Sequence, residues 1–370
     1  MTGIFSRLAL IALVLFGALF LPGKSYSVNN PKSPSIEDQL SRIAAGPANQ
    51  IDLVETLLLI SRHWDPTIDP EFLRGKLISL TASVKERMAD DPSPKKVVDI
   101  LKQIIHKDYG YGYTNFVDPA GIPLDASELF IHGLLNKKRG YCMNLSLLYL
   151  VLGEKLELPL YGVALPNHFF VRYDSPDHRV NIETTQGGIS LPDSYYYKRF
   201  NLSQSPPPSF FMQNLGRKES LGAYFSNVGM VYYKNSKTDR AVFYLKLAAK
   251  INKLSLEAHN NLGNIYSELK QLDKAIRQYQ MALEADPKSM ETHFNMGIAY
   301  MDKGETPKAV ESFKKVLRIN PVFSPAHEIL ANHFMARKNY DQALTHLEKL
   351  VEIDTRNIKA REWLAEAFYR

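Results

Sequence analysis

The second half of the chain runs on a period of 34 residues, and nothing else in the sequence limits the fold so tightly. Gly229, Gly263, Gly297, Ala331 and Ala365 stand one period apart, as do Tyr232, Tyr266, Tyr300, Phe334 and Phe368. Ala241, Ala275, Ala309 and Ala343 make a third register, and Leu245, Tyr279, Phe313 and Leu347 a fourth. Small residues at fixed points let paired helices approach closely, while the aromatic positions fill the space between neighbouring pairs. Pro287 and Pro321 close two of the units. A unit of this length buries its apolar face only by stacking on its neighbours. Units are therefore expected at 222–255, 256–289, 290–323 and 324–357, with a final helix from residue 358.

This spacing and these residue types resemble the tetratricopeptide repeat, a helix-turn-helix unit that stacks into a curved solenoid. The resemblance implies a concave face that holds a protein or peptide partner. Asn227, Asn261 and Asn295 recur at one position of the first helix in three units, and in some such arrays asparagines there grip an extended peptide backbone. The fourth unit carries Ile329 instead, and a plain solvated polar face accounts for the three asparagines equally well. His259, His293 and His327 also recur. Successive helices pack about 8–10 Å apart, too far for three imidazoles to share one ion, so no metal site is read there.

At 370 residues the chain has room for a second domain ahead of the repeats. Its 45 basic and 39 acidic residues leave a formal charge of +6 without a long basic run, which argues against nucleic-acid binding. The first 27 residues read as an export signal. Arg7 precedes an uncharged core from Leu8 to Leu21, Pro22 and Gly23 break it, and Ser25 and Ser27 suit cleavage before Val28. The core is too short for an ordinary membrane span, although an uncleaved anchor is the competing reading. No cysteine lies nearby to carry lipid. The expected order is a signal over 1–27, a linker over 28–35, a first domain over 36–202, a Pro-rich linker over 203–221 and the solenoid over 222–370.

The first domain holds the single cysteine, Cys142, at the head of the apolar run in "RGYCMNLSLLYLVLG". An exported chain with one thiol forms no internal disulfide, which leaves inert filler, an intermolecular bridge or a reactive group. A run apolar on all sides is a central core helix. A helix beginning at Cys142 would place the thiol at its positive end, where the thiolate is favoured. Downstream, "YGVALPNHFFVRY" and "HRVNIETT" flank the turn signal "DSPD" and are expected to form a hairpin. Pairing Tyr173 with His178 sets His168 opposite Glu183, Phe169 opposite Ile182 and Val171 opposite Val180. One register then supplies both an apolar face and an imidazole–carboxylate pair.

"RGYC" before a buried helix, then "NHFFVRY" and "NIETTQGG" on neighbouring strands, resembles the transglutaminase-like superfamily, which shares its core with papain-like cysteine proteases. The resemblance covers about residues 36–200, in the subgroup joined to C-terminal tetratricopeptide repeats. It implies an α+β papain-like domain followed by an all-α solenoid, and a triad of Cys142, His168 and Glu183. Glu stands where the family usually has Asp, and many members of the subgroup lack the cysteine. The Cys142 backbone N–H is the natural oxyanion donor, with Asn136 a candidate for the second. "YYYKRF", residues 195–200, lines the cleft or simply packs. No cofactor is expected, because no phosphate-binding loop, paired-cysteine zinc motif or metal-ligand cluster stands in the sequence. Two functions follow: an exported enzyme acting on amide or peptide bonds by hydrolysis or acyl transfer, or a non-catalytic adaptor whose first domain is vestigial. The export signal alone also admits a cell-wall hydrolase, but no residue points to that substrate.

Overall fold

The computed structural model describes residues 34–89, 93–114, 116–117, 123–200, 202 and 211–370. The expected signal segment, nearly all of the 28–35 linker and the "SQSPPPS" stretch lie outside these residues. Among the described residues no helix is long and apolar enough to cross a membrane.

The first domain opens with four helices: α1 (Ile36–Ala45), α2 (Leu53–Trp64), α3 (Pro70–Met88) and α4 (Pro94–Lys102). Asp52 caps α2 by accepting from the Glu55 N–H, and Asp69 caps α3 in the same way with Pro70 in its first turn. A short parallel pair, β1 (Gly112–Tyr113) and β2 (Arg139–Gly140), brackets α5 (Ile131–Lys137). Asp125 caps a 3-10 turn over Ala126–Leu129 ahead of α5 by accepting from the Ser127 N–H.

Helix α6 (Cys142–Lys155) starts at the cysteine and is buried continuously from Cys142 to Gly153, as its all-round apolar sequence requires. Strands β3 (Leu160–Leu165), β4 (His168–Ser175), β5 (His178–Glu183) and β6 (Ile189–Ser190) form an antiparallel meander in sequence order. Helix α7 (Asp193–Arg199) follows. Phe169, Val171 and Ile182 join the main core that contains α6, while Val163, Leu165 and Phe170 build a second core with Tyr196 and Met212. The sheet is thus covered on both faces.

Two details differ from expectation. "YGVALPNHFFVRY" is itself two strands, turning at Pro166 and Asn167, where Asn167 adopts φ 54° and Leu165 pairs with His168. The next turn is shorter than four residues. Ser175 pairs with His178 across Pro176 and Asp177, Tyr173 with Val180 and Val171 with Ile182. This is a slip of two residues from the expected register. Asp174 and Ser175 stay in the strand because Ser175 Oγ donates to the His178 carbonyl at 3.1 Å and Asp174 lies opposite Arg179. Side chains alternate with period two, so a two-residue slip preserves each face.

The repeats are antiparallel pairs: α8 (Arg217–Lys234) with α9 (Thr238–Ile251), α10 (Leu256–Glu268) with α11 (Leu272–Ala285), α12 (Met290–Asp302) with α13 (Thr306–Ile319), and α14 (Ser324–Ala336) with α15 (Tyr340–Ile353), then α16 (Ile358–Tyr369). The first of these helices starts at Arg217, ahead of the expected 222. The residues just before it are part of the sheet: Leu215 exchanges backbone hydrogen bonds with Gly162 at 2.8 and 3.0 Å, and Met212 N–H donates to the Ala164 carbonyl at 3.2 Å.

The recurrent glycines are places of close helix approach. A Cβ on Gly263 would sit 2.4 Å from the Tyr279 ring, and one on Gly297 would sit 2.7 Å from Phe313. The recurrent histidines hold the turns between units. His259, His293 and His327 each donate Nε2–H to the carbonyl six residues earlier, on Lys253, Pro287 and Pro321, at 3.0 Å in every case.

The array begins on the first domain. Leu221, Tyr224 and Phe225 of α8 are buried in the core shared with α6, and Tyr224 Oη donates to the Leu129 carbonyl at 3.3 Å. His63 Nδ1 shares a hydrogen bond of 2.8 Å with Tyr244 Oη, and Arg240 Nη1 donates to the His63 carbonyl at 2.9 Å.

Candidate active site

Cys142, His168 and Glu183 come from three elements: the first residue of α6, the first of β4 and the last of β5. The start of α6 is fixed by what surrounds it. Gly140 has no room for a side chain, because a Cβ there would lie 2.5 Å from Asn144 Oδ1 and 2.9 Å from Leu134. Asn144 Nδ2 in turn donates to the Glu128 carbonyl at 2.6 Å and the Phe130 carbonyl at 3.2 Å. The cap residue Tyr141 offers no side-chain acceptor to the first turn of α6. That turn therefore keeps backbone N–H groups with no partner inside the helix.

His168 Nε2–H donates to Glu183 Oε2 at 2.9 Å. The register makes this contact diagonal. Continued past Val171–Ile182, the ladder would set His168 opposite Thr185, with Glu183 two residues back on the same face. Diagonal neighbours lie about 7–8 Å apart at the backbone, within reach of long side chains only. The additional methylene of Glu over Asp is what this offset needs.

The Glu183 carboxylate is buried and saturated. Oε1 accepts from the Thr185 N–H at 3.1 Å and the Thr185 hydroxyl at 2.5 Å, and Oε2 accepts from His168 and from Tyr196 Oη at 3.2 Å. Burial pushes its pKa up, but the bond and charge of His168 together with Thr185 outweigh burial and hold it below the ordinary value. The Cys142 side chain is the other polar neighbour of the imidazole. Burial alone would lower the His168 pKa; hydrogen bonding and charge from Cys142 and Glu183 overcome it and raise the ring to about 9. The ring also lies nearly parallel to Phe200, with centroids 5.6 Å apart and planes at 13°.

Of the predicted site residues, Cys142, His168 and Glu183 are brought together. Asn136 is not with them: it is exposed on α5, and its Oδ1 accepts from Lys76 Nζ at 2.9 Å. The "YYYKRF" segment is divided between two tasks. Tyr196 stacks on Phe170 at 4.1 Å and donates to Glu183, whereas Tyr195, Arg199 and Phe200 line a cavity of about 30 Å³ beside His168 and Glu183. Sequence reasoning left the role of Tyr196 open, and its place thirteen residues after Glu183 carries no local signal. Along the solenoid, Asn227 Nδ2 donates to its own helix at Ala223, and Asn295 Nδ2 donates to Asn264 Oδ1, each at 3.0 Å. Asn261 is half-buried. Among the described residues no group of three potential ligands could hold a metal ion.

Comparison with known proteins gives a consistent picture. A family model described as the transglutaminase-like superfamily matches residues 71–213. Models described as TPR repeat and tetratricopeptide repeat match 263–304 and 291–323. UPF0162 protein PM0557 of Pasteurella multocida (strain Pm70) is 23% identical over 177 residues, covering 47% of this chain and 64% of that protein. The chain thus spans just under two thirds of that relative. Two crystal structures of MamA share 22% and 20% identity, cover 37% and 40% of this chain and 81% of their own, and give TM-scores of 0.35 and 0.38.

Proposed function

Starting from a chain that joins a transglutaminase-like domain to C-terminal tetratricopeptide repeats, we propose an exported cysteine enzyme that acts on amide or peptide bonds of protein substrates. The observation that carries this reading is the His168–Glu183 pair, its carboxylate buried and saturated with help from Thr185 and Tyr196, beside a thiol at a helix N-terminus. A buried carboxylate with four donors stays ionised and fixes the ring. His168 takes the thiol proton, Cys142 attacks the carbonyl carbon, and the imidazolium returns the proton to the departing amine. Water completing the cycle gives hydrolysis, and a second amine gives transfer. The solenoid recruits the protein substrate or a partner. Arg7 and the apolar core from Leu8 to Leu21 support export.

Cys142 is only 5% exposed, which favours one other reading, an adaptor whose first domain no longer turns over. Iodoacetamide alkylation of the full chain across pH separates the two. For an enzyme, His168→Ala slows alkylation at neutral pH by at least about 10-fold, because the thiolate loses its cationic partner. Equal rates in both proteins at every pH would leave the adaptor.

A further inference from the structure

A thiolate attacking a carbonyl needs two donors for the oxygen on which charge develops. The Cys142 N–H, in the first turn of α6, supplies one, and Asn136 is engaged elsewhere. Tyr113 is the candidate for the second. It ends β1, pairs with Gly140 two residues before Cys142, and its ring centroid lies 6.3 Å from that of Tyr141. Strand β1 packs against both α6 and the Thr184–Gln186 turn that follows Glu183. Tyr113 therefore lies near both Cys142 and Glu183, each of which acts electrostatically on its phenol. It is half-buried, and its hydroxyl has no hydrogen-bond partner among the described residues. Tyr196, by contrast, has its hydroxyl committed to Glu183.

We propose that the Tyr113 hydroxyl is the second oxyanion donor of this site. The assignment rests on the cysteine-enzyme reading above. As the sulfur bonds to the carbonyl carbon, the π pair of the C=O moves onto oxygen, which accepts hydrogen bonds from the Cys142 N–H and the Tyr113 O–H. No proton leaves either donor. The pair then re-forms the C=O and the leaving group departs with its bonding electrons, an amine taking its proton from His168. Water attacks the thioester, releasing the carboxylic acid and restoring the thiol and the imidazole. Burial, and the charges on Cys142 and Glu183, raise the Tyr113 phenol above its ordinary value, so it stays protonated at neutral pH.

Two reagents test this on the full chain. 4-Nitrophenyl acetate acylates Cys142 through an oxyanion and releases nitrophenolate, which needs no proton from His168. Iodoacetamide alkylates the same sulfur by displacement, with no oxyanion. Tyr113→Phe is expected to slow acetylation by about 10²-fold, the scale of losing one such donor, and to leave alkylation unchanged. Acetylation at the wild-type rate, or an equal slowing with both reagents, overturns the assignment. Wild-type acetylation no faster than that of His168→Ala instead removes the enzyme reading, and the assignment with it.

Discussion

The two halves of the molecule hold themselves together in opposite ways. In the solenoid each unit touches mainly its neighbours, so the same small, large and histidine positions solve the same local problem again and again. In the first domain the proposed chemistry depends on residues from α6, β4, β5 and α7 meeting once. A local error in the solenoid costs one interface, whereas a local error in the first domain removes the whole constellation.

The sharpest way to break this contrast is Glu183→Gln. The amide keeps the volume and its single oxygen can still accept from Thr185, but its NH2 then stands where the second oxygen accepted from Tyr196 and His168, so it no longer stabilises a charged imidazole. Acetylation of Cys142 should fall by about 10²–10⁴-fold, the range for disabling a positioned acid–base group, while unfolding of the repeats is unaffected. The pH dependence has a definite sign. The folded His168 pKa is raised from 6.5 to about 9, so its contribution to stability is complete below 6.5 and is lost as pH rises through about 9. The wild-type unfolding temperature should decline across that window, and the decline should be smaller and finish at lower pH in Glu183→Gln. An identical pH profile in the two proteins would show that the carboxylate does not hold the imidazolium.

Gly297→Leu tests the other half. Its Cβ alone would lie 2.7 Å from the Phe313 ring, and overpacking of this kind costs about 1–3 kcal/mol. Urea unfolding should show the repeats weakened while Cys142 keeps its wild-type alkylation rate. Loss of thiol reactivity in parallel would mean that strain passes down the array to α8, which packs in the core shared with α6, and the halves would then be one mechanical unit.

The same contrast explains what could be read from the sequence. Periodicity exposes a solenoid because every unit restates it; the registers of Gly263 and Tyr279 are both visible in the sequence, but that the two residues meet within one helix pair is not. The meeting of Cys142, His168 and Glu183 was legible because Cys142 heads a largely apolar helix and because strand alternation assigns His168 and Glu183 to one face for any register shift of two residues. The register itself was not legible: a four-residue turn and the two-residue turn at Pro176–Asp177 fit the same letters. A signal for the offset did stand in the sequence, since Glu in place of Asp suits a diagonal contact better than a direct one. Asn136 failed for a different reason. Nothing local announces that Lys76, sixty residues earlier, takes its side chain. Tyr113 and Tyr196 were hidden in aromatic segments where packing and chemistry share one vocabulary.

The smallest expected effect refines the account of the repeats. His259, His293 and His327 each donate to a carbonyl in the turn before their helix, but their Nδ1 atoms differ. In His259 it faces Gln278 Oε1 at 2.8 Å and in His327 it faces His346, whereas in His293 it is buried without a partner. Burial lowers the His293 pKa, so the ring is neutral and its proton is committed to Pro287. His293→Ala removes one hydrogen bond to the carbonyl of the exposed Pro287, a loss of about 0.5–1.5 kcal/mol. His293→Gln, able to donate to the same carbonyl, should recover part of it. If alanine and glutamine weaken the array equally in urea, the histidine is there for its ring volume, and the periodic imidazoles are a packing feature after all.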